Sequence, residues 1–125
     1  MDSEQQALLR RYLEAFERYD MDSLTALLHE DATQSMPPYE LWLAGRDDLL
    51  RWWVGPGADC RGSRLVPLTA NGAPAFGQYR PSGPNGRHEP WSIHVLDVVD
   101  DRIANITFFL DTTLFETFGL PPHLD

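Results

Sequence analysis

Trp91-Ser-Ile-His-Val-Leu-Asp-Val-Val99, Asp100-Asp-Arg102 and Ile103-Ala-Asn-Ile-Thr-Phe-Phe-Leu110 form one continuous stretch, and its reading decides the fold. β-branched and aromatic residues fill both long runs, and three polar residues separate them, which specifies two strands joined by a tight hairpin. Upstream, Ser63 to Ala70 and Ala73 to Arg80 are strand-like in the same way and are split by Asn71-Gly72. A loop from Pro81 to Pro90 leads into Trp91. Each connection is too short to hold a crossover helix, so the second half reads as an antiparallel meander.

The first half has a different period. Ala7, Leu8, Tyr12, Ala15, Phe16 and Tyr19 recur mostly at steps of three and four, the stripe of an amphipathic helix over residues 4–19. Asp22 or Ser23 is placed to cap a second short helix through Leu24, Leu27 and Leu28, ending near His29. Ala32 to Met36 reads as a short strand stopped by Pro37-Pro38, and Leu41 to Ala44 as another. After Gly45, Arg46-Asp-Asp-Leu-Leu-Arg-Trp-Trp53 has its acids in the opening turn, where the helix dipole favours them, so a third helix runs to about Val54. Gly55-Pro-Gly57 is a loop. Phe115 to Phe118 suggests a last helical turn stopped by Gly119 and Pro121-Pro122. Helices followed by antiparallel strands imply an α+β fold, with N-terminal helices against a curved antiparallel sheet that encloses a cone-shaped pocket. Residues 1–125 read as one domain, with a core over about 4–118 and a short Pro-rich tail over 119–125.

Composition narrows the function. Ten basic residues against nineteen acidic ones give a formal charge of −9, so the average surface repels phosphate and direct nucleic-acid binding by this chain is disfavoured. The single Cys60 excludes an intramolecular disulfide and a multi-cysteine zinc site. Nothing resembles a signal peptide or a spanning helix, so a cytoplasmic location and no membrane partner are expected.

Several short motifs carry a family likeness. Tyr12-Leu-Glu-Ala-Phe16, His29-Glu-Asp-Ala-Thr33, the strand start at Arg102-Ile103 and Phe109-Leu-Asp111, in this order of elements, resemble SnoaL-like domains of the nuclear-transport-factor-2-like superfold. More narrowly, Ser35-Met-Pro-Pro38, Leu41-Trp-Leu43, Cys60-Arg-Gly-Ser63, Arg64-Leu-Val-Pro67, Tyr79-Arg-Pro81, Glu89-Pro-Trp91 and Gly119-Leu-Pro-Pro122 resemble the C-terminal SnoaL-like domain of actinobacterial extracytoplasmic-function (ECF) RNA polymerase sigma factors. The resemblance implies a domain that sits behind two DNA- and polymerase-binding sigma regions and modulates them. Enzymes of the superfold use acids or histidines lining the cone, commonly an Asp in the middle of the last strand. That strand here reads Ala104-Asn-Ile-Thr-Phe108. Ala104, Ile106, Phe108 and Leu110 share one face, which is apolar; Asn105, Thr107, Phe109 and Asp111 share the other.

The candidate site residues follow from strand alternation. His94 shares a side with Ser92, Leu96 and Val98, while Asp97 falls opposite, so the two do not form a dyad. His94 and Asp111 are the candidate general bases if the chain is an enzyme, although capping the turn at Thr112 is the commoner role for a carboxylate placed as Asp111 is. Tyr12, Phe16, Trp42, Trp53, Phe76, Gln78, Trp91 and Phe108 come from segments that the superfold converges on one cavity, with Tyr79 as a further polar anchor, and are the candidate ligand-binding residues. Core packing is the simpler role for most of these aromatics. His29-Glu-Asp31 lacks a second ligand cluster, so no metal is expected, and no cofactor. His88, Glu89 and His123 read as solvated, and neither Ser63 nor Cys60 has the strand-turn-helix setting of a nucleophile.

The resulting expectation is a non-catalytic regulatory or small-ligand-sensing domain of an ECF sigma factor, partnered by sigma regions or RNA polymerase and by a small apolar ligand. The alternative is a small isomerase, cyclase or epoxide hydrolase acting on an apolar molecule. A homodimer is a third expectation, since the open face of such a sheet often pairs with a twofold mate.

Overall fold

The computed structural model describes residues 3–37, 42–70, 73–100 and 102–124. Among these residues four helices and six strands follow one another as α1 (Ser3–Arg18), α2 (Met21–Thr25), β1 (Leu28–Ser35), β2 (Trp42–Ala44), α3 (Arg46–Val54), β3 (Arg64–Ala70), β4 (Ala73–Arg80), β5 (Glu89–Val99), β6 (Arg102–Phe109) and α4 (Leu114–Thr117). Short 3-10 turns at Pro56–Cys60 and Pro84–Gly86 fill two of the connections. The sheet runs β2-β1-β6-β5-β4-β3. The meander of β3 to β6 is antiparallel as its short connections require, and β1 then inserts beside β6 in parallel. The architecture is α+β, with the N-terminal helices on one face of the sheet.

The differences from the sequence reading have local causes. The second helix ends at Thr25, and Leu28 and His29 belong to β1 instead. Thr25 Oγ1 donates to the Asp22 carbonyl, closing the turn, while Leu28 is fully buried opposite Ile103 of β6. The helical spacing of Leu24, Leu27 and Leu28 therefore yields to a strand partner that no local pattern reveals. The cap is Asp20, two residues before Asp22 and three before Ser23, whose carboxylate accepts from Ser23 N at 3.3 Å and Ser23 Oγ at 2.7 Å. β5 starts at Glu89, two residues before Trp91, because Glu89 and Pro90 already pair with Arg80 and Tyr79. Pro38, Leu41 and the Asn71-Gly72 turn lie outside the described residues.

Two apolar clusters occupy the two faces of the sheet. The larger joins Leu8, Tyr12 and Phe16 of α1 to Leu49 and Trp53 of α3, and both to the inner residues of β1, β5 and β6. The smaller holds Ala75, Tyr79, Ile93 and Phe115, so α4 and the chain after it cover the opposite face at one end. On β6 the inward face is Ile103, Ile106 and Phe108, all fully buried. Asn105 and Thr107 face the other way, where Thr33 Oγ1 donates to Asn105 Oδ1 at 2.7 Å. The inner wall of the last strand thus carries no acid.

Two contacts tie the helices to one another and to the sheet. Tyr19, just past α1, has φ +55°, a strained value for a bulky residue, and its hydroxyl lies 2.7 and 2.6 Å from the Trp53 and Gly57 carbonyls. Arg46, opening α3, donates from Nε and Nη2 to the Leu28 carbonyl at 3.0 and 2.8 Å, where the β1–β6 register shifts. Arg51 of the same helix reaches only Asp48, at 3.3 Å, with both side chains largely exposed. Arg46→Met should therefore destabilise by about 1–2 kcal/mol in urea unfolding, whereas Arg51→Met should stay within about 0.5 kcal/mol of wild type. Equal losses in the two variants would show that the Arg46 fork does not hold the start of β1.

Candidate functional site

Strand register brings the polar candidates together. Gln78 of β4 pairs with Ser92 of β5, and Phe76 with His94, so Gln78, Ser92 and His94 point into the same layer, beneath α1. His94 in turn sits opposite Phe108 of β6. Tyr12 reaches down from α1, and Ser63 reaches in from the turn before β3. All six are between 0% and 3% exposed when Phe76 is counted among them, so the layer is closed to water.

The hydrogen bonds run in one direction. His94 Nε2 lies 2.6 Å from Gln78 Oε1, which can only accept, so the imidazole carries its proton on Nε2. His94 Nδ1 is then a lone pair, and Tyr12 Oη donates to it at 2.9 Å. Gln78 Oε1 also accepts from Ser92 Oγ at 2.9 Å. Gln78 Nε2 donates to Ser63 Oγ at 3.0 Å, and Ser63 Oγ donates to the Cys60 carbonyl at 2.6 Å. A relay of five side chains therefore ends on a backbone oxygen, and each hydroxyl, amide oxygen and ring nitrogen in it has a partner.

Electrostatics fix the charge state. The His94 ring packs edge-on against Phe108 at 4.3 Å and Phe16 at 4.9 Å between centroids. Burial among these rings holds the imidazole well below its ordinary pKa of 6.5. The same burial pushes the Tyr12 phenol well above 10.0, so it stays a donor. The arrangement is a neutral, saturated spine between α1 and the sheet. A substrate would have to displace Tyr12 before His94 Nδ1 was free to take a proton.

Of the candidate ligand-binding residues, Tyr12, Phe16, Trp53, Phe76, Gln78 and Phe108 all gather around His94. Trp42 does not: it is 65% exposed on β2, at the edge of the sheet. Trp91 is half-buried at the β4–β5 irregularity, with the Arg80 guanidinium 5.2 Å from its ring centroid. Tyr79 turns to the opposite face, where its hydroxyl donates to the Pro121 carbonyl at 2.7 Å. Asp111 is exposed and takes the capping role, accepting from Thr113 N at 3.0 Å and Thr113 Oγ1 at 2.6 Å. These bonds hold its carboxyl below the usual range. The sequence reading considered Ser63 only as a nucleophile; its place as the last link of the relay depends on the β3–β4 register, which has no local signal. Gln34 of β1 was also missed. It is fully buried, and its Oε1 accepts from Trp53 Nε1 at 2.8 Å. Among the described residues, no three His, Cys, Asp or Glu side chains lie close enough together to hold a metal ion.

Comparison with known proteins fits this geometry. The SnoaL-like domain family matches residues 9–106. The ECF RNA polymerase sigma factor SigG of Mycobacterium tuberculosis, in strains H37Rv and CDC 1551, is 43% identical over 123 residues. That span is 97% of this chain and 33% of the sigma factor, so the chain covers about a third of the length of these curated relatives. A crystal structure from Kribbella flavida DSM 17836, provisionally named a ketosteroid isomerase, superposes with a TM-score of 0.63 at 25% identity over 85% of this chain and 76% of that one. An NTF2-like protein of unknown function from Burkholderia xenovorans LB400 gives a TM-score of 0.67 at 16% identity over 85% and 83% of the two chains, which shares the fold alone.

The relay makes two measurable demands. Tyr12→Phe leaves His94 Nδ1 buried without a donor and should cost about 1–3 kcal/mol of stability. The second is a pH dependence. The unfolded chain protonates His94 near pH 6.5, whereas the folded chain resists until well below that value. Stability is therefore level above about pH 6.5 and falls below it, by at most about 1.4 kcal/mol per pH unit for one group. In urea unfolding between pH 7.5 and 5, His94→Gln should flatten this slope. An unchanged slope in that variant would assign the titration to another residue.

Proposed function

The chain belongs to the SnoaL-like domain family, and from that premise we propose that it is a non-catalytic regulatory module of an ECF-type RNA polymerase sigma factor. The observation that carries this reading is the 43% identity to SigG across 97% of the chain, a likeness that runs beyond the family match into the α4 and tail region. The site supports it, because His94 is shielded from solvent and its lone pair is engaged by Tyr12. In this role the domain docks on the sigma regions of its parent protein and modulates their hold on DNA and polymerase, which places it in the cytoplasm with RNA polymerase as an indirect partner.

Charge supplies the mechanism. Sigma regions that contact DNA must present cations to phosphate. A domain with a formal charge of −9 competes for those cations, so docking and DNA binding oppose each other. The second reading, an enzyme of the isomerase or cyclase type with His94 as base, is favoured by the likeness to the Kribbella flavida protein. It requires a conformer in which Tyr12 leaves His94.

Fluorescence anisotropy of this chain against the remaining two thirds of a SigG-type sigma factor separates the readings. Docking should weaken at least about tenfold between low and high salt, as expected for opposed charged surfaces with a screening length of about 10 Å at 0.1 M. It should also survive His94→Gln. Binding indifferent to salt would overturn the electrostatic mechanism, and the absence of binding would overturn the regulatory reading.

A further inference from the structure

We propose that the cleft between α1 and the β3–β4 pair binds a small amphipathic carboxylic acid, with its apolar body on Leu9, Leu13, Pro67 and Phe76 and its carboxylate on the Arg10 guanidinium. This inference is independent of docking to a sigma factor. It also places the ligand outside the closed layer around His94.

The cleft follows from how α1 meets the sheet. Leu8, Tyr12, Ala15 and Phe16 form the buried stripe of the helix. Beside that stripe, at helical spacing, lies a second one of Gln6, Leu9, Arg10 and Leu13, and this faces β3 and β4. One turn further on, Glu17 Oε2 accepts from Leu65 N at 2.9 Å and draws the C-terminal half of the helix onto the start of β3. Between the N-terminal half of the helix and the two strands lies a cleft of about 500 Å³. β3 is the edge strand, and Pro67 on it presents no N–H toward the opening.

The lining selects the ligand. It is almost wholly hydrocarbon, with Pro67 and Pro74 facing the leucines and Phe76 as the floor. A volume of this size is within the roughly 300–1,000 Å³ of small-molecule sites. Among the described residues no carboxylate lines the cleft, so an ammonium ligand finds no counter-charge among them. The charge at its mouth is Arg10, which is exposed and makes no ion pair among the described residues, with the Gln6 amide one turn before it on the same stripe. A guanidinium receives a carboxylate through two parallel N–H donors, a geometry that an alcohol or amine cannot match. The floor is also connected: Phe76 stacks on Tyr12 with centroids 5.4 Å apart, so an occupant rests one ring away from the relay.

The test is a titration of the ¹⁵N-labelled chain, followed by NMR, with octanoate, 1-octanol and octylammonium as probes. Octanoate should saturate with a Kd on the order of 1 mM, as expected for about ten heavy atoms in an open site. Its amide shifts should centre on Leu9, Leu13, Leu68 and Ala75. 1-Octanol should bind about fivefold more weakly, and octylammonium more weakly still. Arg10→Ala should bring octanoate down to the level of octanol while leaving octanol unchanged, and Arg10→Glu should reverse the order of octanoate and octylammonium. Arg10 is exposed on a helix, so both variants should keep the wild-type spectrum away from the cleft. Equal affinity for octanoate and octanol, indifference to Arg10→Ala, shifts centred elsewhere, or no saturation would each overturn the proposal.

Discussion

The hydrogen bond from Tyr12 to His94 is the contact on which the rest of the arrangement depends. It carries the only helix-borne hydroxyl in the relay, and everything beyond it is sheet or turn. A buried imidazole without a donor and an acceptor is costly. The side chains of α1, β4, β5 and the turn at Cys60 are therefore held to positions that satisfy each other in sequence. Apolar packing alone tolerates sliding of a helix over a sheet, whereas a relay with one sense of donation does not. The aromatic rings around His94 keep it neutral, and its neutrality leaves one nitrogen to accept from Tyr12 while the other donates to Gln78.

That constraint bears on how a fold associated with ligand cavities is used here. The interior of the cone is occupied by the protein's own Tyr12, Phe16, Trp53 and Phe108, all at most 1% exposed. The inward face of β6 is aliphatic and aromatic, and Asp111, just past its end, is committed to the turn that starts α4. Polarity inside the molecule is thus spent on joining elements. Outside it the chain carries a net acidic charge and a flank of α1 where leucines stand beside an arginine.

Most of the fold was legible from the chain because the relevant signals are local. The stripe through Leu8, Tyr12, Ala15 and Phe16 gave α1, the acids after Gly45 gave α3, and alternation with short polar turns gave β3 to β6. The failures share a physical cause, which is that distant partners override local pattern. Leu28 has helical spacing from Leu24 but finds Ile103. Trp42 looks like a cavity residue until the sheet order places its strand at the edge. At the site, the pairing of Ser92 with His94 on one side of β5 follows from period two alone. Tyr12 and Ser63 join them only through tertiary register, and no spacing in the sequence encodes that.

The parallel contact between β1 and β6 has a kinetic consequence. Thr33 and Asn105 are bonded across 72 residues of chain, and among the described residues β1 has no other long neighbour, since β2 contributes three residues there. During synthesis the first half emerges with one edge of β1 unsatisfied, and that edge stays open until the last strand arrives. The meander of β3 to β6 has local partners throughout and can assemble first. Closure of the N-terminal half onto it is then the late, slow event, and the interval before it is when the nascent protein is most exposed to aggregation through strand pairing with another copy.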